Sequence, residues 1–120
     1  MRNIQTIKMI VPEKVSSNKA YSGFKHWSVR NKLKDLYHAS LLPYRNKIKV
    51  AKFPVKITYD FEWSGRILDT TNQFFMIKML EDGMVGIGLL PDDTPEFVHE
   101  TTSRSRKGKE DVVTIFIESL

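Results

Sequence analysis

Apolar and polar side chains alternate over residues 54–63: Val55, Ile57, Tyr59 and Phe61 fall on one side, Lys56, Thr58, Asp60 and Glu62 on the other. That pattern predicts a strand with one face on a core. Residues 4–11 are rich in β-branched side chains and predict a second strand, which Pro12 ends because proline has no N–H for a ladder. Residues 96–103 predict a third. Residues 111–118 predict a last strand whose Val112, Val113, Ile115, Phe116 and Ile117 are apolar on both faces, which places it centrally. Between these two, Ser105, Arg106, Lys107, Gly108 and Lys109 read as a hairpin tip.

Helical spacing marks two other stretches. In 24–41, Val29, Leu33, Leu36, Tyr37 and Leu41 recur at three- and four-residue steps, and Pro43 closes the element. In 71–85, Phe74, Ile77, Leu80 and Met84 form the inward face. Thr70 or Thr71 can cap its start, and Gly86 and Gly88 can end it. Residues 13–23 are polar, with Ser16, Ser17, Asn18 and Gly23, and predict a loop. The expected order is β-α-β-α-β-β: one α/β (α+β) domain over residues 1–120, a small mixed sheet with two helices.

Composition narrows the class. A chain of 120 residues with 41% hydrophobic content is one globular domain. No apolar run approaches the roughly 18 residues of a membrane span, and the segment from Met1 to Lys8 lacks a signal peptide's apolar region. Cysteine is absent, which excludes disulfides and thiolate metal sites and fits a cytoplasmic setting. The net charge of +5 favours a polyanionic partner, of which nucleic acid is the commonest, over a merely soluble basic protein. The cations cluster: Arg30, Lys32 and Lys34 near the first helix, then Arg45, Lys47, Lys49 and Lys52, and Arg104, Arg106, Lys107 and Lys109 at the tip. Such groups suit phosphate contacts, and each residue also reads as part of a solvated face. Trp27, after His26, reads either as a base-stacking residue or, more commonly, as core. His26, His38 and His99 have no zinc spacing.

One stretch carries candidate chemistry. Asp69 precedes the second helix, Lys78 lies within it, and Asp92 and Asp93 follow it. Carboxylates can hold Mg²⁺, and a lysine can meet a phosphate or a developing charge. The same residues also read as ordinary turn acids and a solvated lysine.

The pattern Asp69-x-Thr71-Asn72, Lys78, Asp82-Gly83, Leu90-Pro91-Asp92-Asp93 resembles the RusA family of Holliday junction resolvases, especially the phage and prophage forms. The run Ser17-Asn18-Lys19-Ala20-Tyr21-Ser22-Gly23, with His26-Trp27 and Arg30-Asn31-Lys32 just after it, is similar to the family's Asn-containing loop and basic helix. The resemblance covers about residues 10–118. It implies a homodimer in a bacterial cytoplasm that binds four-way DNA junctions and resolves them by Mg²⁺-dependent paired nicks, with Mn²⁺ as a substitute. It assigns the metal to Asp69 and Asp93, with Asp92 as support or alternate ligand, and charge stabilisation to Lys78. DNA contacts are expected from Asn18, Lys19, Arg30, Lys32, Lys34, Arg104, Arg106, Lys107 and Lys109.

The chain departs from the family at Thr71, where a second carboxylate is expected. Placing Asp69 there instead leaves Ile67 at the first position, so either register lacks one acid. Asp60 or Glu62 is a candidate to compensate. A neutral hydroxyl is a poor replacement for an anionic ligand, so a relative that binds branched DNA or a protein partner without cutting stands as the alternative. A basic module sharing only the fold is a third reading.

Overall fold

The computed structural model describes residues 4–23 and 27–120. Strand β1 is Ile4–Ile10, helix α1 Ser17–Gly23, helix α2 Trp27–Leu41, strand β2 Val55–Trp63, helix α3 Phe74–Gly86, strand β3 Val98–Lys107 and strand β4 Val112–Ser119. Short 3-10 turns occupy Leu42–Tyr44 and Thr70–Gln73. His26 and the side chain of Trp27 lie outside the described residues.

The four strands form one mixed sheet in the order β1-β4-β2-β3. Strand β4 runs antiparallel to both β1 and β2, so the strand that is apolar on both faces is central, as expected. Strands β2 and β3 are parallel. Parallel neighbours need a crossover, and the 3-10 turn and α3 supply it. The expected hairpin between the last two strands is not formed, because β2 lies between β3 and β4. Strand β3 also runs on to Lys107, so Arg104, Arg106 and Lys107 lie along an edge strand, not at a tip. The connection after β3 passes the end of β2, where the Gly108 N–H bonds the Trp63 carbonyl at 3.0 Å.

The helices cover the face of the sheet on which Val55, Ile57, Tyr59, Phe61 and Trp63 are wholly buried. Fully burying an apolar side chain contributes about 1.5–3 kcal/mol, so this row anchors the core. Helix α3 is buried on most sides, at Phe75, Met76, Ile77, Met79, Leu80, Gly83 and Met84. Phe74, expected inward, is 43% exposed. The tighter 3-10 winding of the preceding turn changes the phase of the helix.

Helix α2 buries Leu33, Tyr37 and Leu41, whereas Val29 and Leu36, expected inward, are exposed. The inward stripe continues through Arg30, whose guanidinium donates to the Ala20 carbonyl at 3.1 Å. A side chain at Gly86 would put a Cβ 2.6 Å from the His38 ring, so glycine permits this approach of α2 to α3.

Helix α1 stands where a loop was expected. Ser16 caps it by accepting the Lys19 N–H at 3.1 Å, and Ala20 is buried. Among the described residues, no helix is long and apolar enough to cross a membrane.

Candidate functional site

The backbone around Asp69 is pinned to β3. Ser105 Oγ donates to the Leu68 carbonyl at 2.5 Å, and Ser103 Oγ to the Thr70 carbonyl at 2.8 Å. Gln73 is wholly buried. Its Oε1 accepts from Trp63 Nε1 at 2.8 Å, and its Nε2 donates to Ser103 Oγ at 2.8 Å and to the Arg104 carbonyl at 3.0 Å. The segment before α3 is therefore held from two strands at once. Asp69 sits in extended backbone (φ −63°, ψ 146°) at the entry to the 3-10 turn. Its carbonyl accepts the Asn72 N–H at 2.9 Å, while its carboxylate makes no capping bond. Asp69 and Thr71 are exposed. Asp69 opens onto a cleft shared with Lys14, Ser16, Asn18, Arg66 and Asn72.

The other end of α3 is built by Gly88. Its φ of +85° allows a Schellman close, in which Gly88 N–H bonds the Val85 carbonyl at 3.0 Å and Leu89 N–H bonds the Met84 carbonyl at 2.9 Å. Leu89 and Leu90 then bury, and the chain turns back to bring Asp93 over the helix. Lys78 Nζ meets Asp93 Oδ2 at 2.6 Å and Asp82 Oδ1 at 3.2 Å. The Asp93 hydrogen bond, with help from Asp82, raises the lysine above its ordinary range against the opposing effect of desolvation. The Lys78 hydrogen bond likewise holds Asp93 below the usual carboxylate range. Asp92 Oδ1 accepts the Asp93 N–H at 2.8 Å, and Asp92, Asp93 and Asp82 line a shallow cleft with Lys34, His38 and Gly86.

Behind this pair lies Glu81, pushed up to about 7 by burial first and then by the charge of Asp93. Its Oε1 and the hydroxyl of Tyr59 are both buried without a hydrogen-bond partner. They stand near enough for Glu81 to help keep the tyrosine protonated, although burial is the larger cause.

Of the expected site residues, the fold thus joins Lys78, Asp93 and Asp92. Asp69 and Thr71 lie at the head of the helix, with Asp69 on the cleft of Lys14 and Arg66. Among the described residues, no three His, Cys, Asp or Glu side chains form a group that could hold a metal ion. With Thr71 neutral and Asp93 held by an ammonium at 2.6 Å, these side chains as arranged do not fit a Mg²⁺ donor set. Asp60 and Glu62 do not compensate. They point to the face of β2 away from α3 and pair with Arg106, each at 3.4 Å.

The expected DNA-contacting cations divide. Arg106 is paired as described, Lys107 donates to the Ser64 and Gly65 carbonyls, and Arg30 ties α2 to α1. Lys19, Lys32, Lys34, Arg104 and Lys109 are exposed. Four residues near the site were missed in sequence. Glu81 follows Lys78 at helical spacing, a signal that could have found it. Lys14, Arg66 and Tyr59 meet their neighbours only through the tertiary fold. In comparisons with known proteins, no family model and no curated protein matches the chain.

Proposed function

We propose that this chain is a RusA-like protein of branched DNA, acting as a homodimer on four-way junctions in a bacterial cytoplasm, from a phage or prophage gene. The observation that carries the reading is the contact of Lys78 with Asp93 at 2.6 Å. These are two positions that the resemblance names, far apart in sequence, and a half-exposed ion pair contributes only about 0–1 kcal/mol to a fold. Stability alone is a weak reason for it. A basic surface with exposed cations on α1, α2 and β3 supports a polyanionic partner. A two-fold assembly matches the symmetry of a junction.

Binding without cleavage is the form favoured by Thr71 and by the lysine that neutralises Asp93. Metal-dependent paired nicking is the second reading, supported by Asp69, Lys78 and Asp93 standing at positions the resemblance names. A labelled four-way junction tests both. At low salt in EDTA the protein shifts the junction and leaves a linear duplex of the same arms largely free. Equal binding to both, or none to either, sinks the junction reading. Paired nicks on adding Mg²⁺ that vanish in Asp93→Asn select the second form. Sedimentation of the free protein reads the dimer.

A further inference from the structure

Resting on the branched-DNA reading, we propose that the cleft of about 260 Å³ beside Asp69 seats one backbone phosphodiester of a DNA strand, with Lys14 and Arg66 as its cations. Lys14 Nζ donates to the Arg66 carbonyl and stands 4.8 Å from the centre of the Trp63 ring. Trp63 is wholly buried and its Nε1 is fixed by Gln73. The ammonium is therefore positioned in advance by two neutral groups, which orient its charge without cancelling it. Among the described residues, neither Lys14 nor Arg66 has a carboxylate within ion-pair distance. Asp111, which feels the charge of Lys14, is held by the Ser64 N–H and hydroxyl at 2.8 and 2.9 Å.

Charge selects the ligand. Two cations and the single carboxylate of Asp69 leave the cleft at one net positive charge. A monoanionic diester balances that charge, whereas a phosphate dianion would leave the occupied cleft net negative. Ser16, whose oxygen accepts the Lys19 N–H, keeps its own proton to donate, and the Asn72 amide adds neutral donors. The cleft is polar, open and next to the position the resemblance gives to the reacting strand.

The test is a salt titration of junction binding in EDTA for wild type, Arg66→Gln, Lys14→Met and Lys56→Gln, the last on an ion pair with Glu100. Arg66→Gln and Lys14→Met each weaken binding about three- to tenfold at low salt and lower the slope of log affinity against log salt by about 0.9, as for one lost phosphate contact. Lys56→Gln changes neither. Arg66→Gln keeps the wild-type melting temperature, which separates a lost contact from a lost fold. Wild-type binding with an Arg66→Gln variant unchanged in affinity and slope overturns the phosphate seat and leaves the junction reading standing. No wild-type binding at low salt overturns both. Tighter binding of an RNA strand, with the same dependence on Arg66, overturns the assignment to DNA. Competition by millimolar inorganic phosphate beyond its ionic strength overturns the preference for a diester.

Discussion

Ser17 Oγ accepts the backbone N–H of Phe75 at 2.9 Å, across 58 positions of sequence. The helix that carries Lys78 has no side-chain cap of its own at Gln73, and α1 supplies one from outside. Ser17→Ala is expected to lower stability by about 1 kcal/mol, the usual cost of losing a cap. Ser17→Thr keeps most of it. Urea denaturation of the three proteins reads the difference.

Gln73 makes the larger structural contribution. Gln73→Leu leaves Trp63 Nε1 buried without an acceptor and removes a donor from the Arg104 carbonyl. An orphaned buried polar group costs about 1–3 kcal/mol. The expected loss lies toward the upper end, with a change in tryptophan fluorescence as Trp63 loosens. A variant as stable as wild type would contradict the clamp.

Glu81 makes stability depend on pH near neutrality. Its proton is held in the fold up to about pH 7, whereas the ordinary value is 4.5. The folded state therefore binds more protons than the unfolded state between these values, and stability falls as pH rises through that window. The loss is complete above it. After allowance for screening of a half-buried carboxyl, the drop is about 1–2 kcal/mol. Asp93 and Asp111 are lowered, so what they contribute is lost only at more acid pH. Glu81→Gln should flatten the profile between pH 5 and 8, measured by urea midpoints.

Lys78 occupies the gap between Asp82 and Asp93. Lys78→Met leaves the Asp82 and Asp93 carboxylates without the cation that bridges them. The Asp93 carboxyl should titrate at higher pH than in wild type, followed by NMR. Mn²⁺ affinity, read by electron paramagnetic resonance, should rise several-fold. Unchanged Mn²⁺ binding would show that the lysine does not screen the acids.

Thr71 is exposed, so Thr71→Asp should alter stability by no more than about 0.5 kcal/mol. Under the nicking form of the proposed function, the added acid raises metal-dependent cleavage of a junction. Under the binding form, it weakens DNA affinity by adding a negative charge near the strand.

Much of this fold was legible in the sequence because its signals are local. Val55, Ile57, Tyr59 and Phe61 alternate as a half-buried strand must, and the double-faced apolar run after Asp111 could only be central. The insertion of β2 between β3 and β4 was not legible. Gly108 and Lys109 are as good a turn for bridging over a strand end as for a hairpin, and only long-range pairing distinguishes the two. Helix α1 was hidden by its polar residues, since it is held by a Ser16 cap and by Ser17 on α3. In α2, Val29 and Leu36 follow helical spacing as well as Leu33 does, but packing against α1 and α3 chose the other stripe. At the candidate site, the four-residue spacing of Lys78 and Asp82 is a local signal of the pair the fold forms, though neither was read as the other's partner. The contact of Lys78 with Asp93 required the Gly88 reversal, and the meeting of Lys14 with Arg66 leaves no trace in local spacing.

The central place of β4 has a consequence for how the molecule assembles. Among the described residues, strand β1 pairs only with β4, which comes after β2 and β3 along the chain. A nascent polypeptide therefore carries β1 unpartnered until β4 has been made, and removing β4 would open the sheet down its middle.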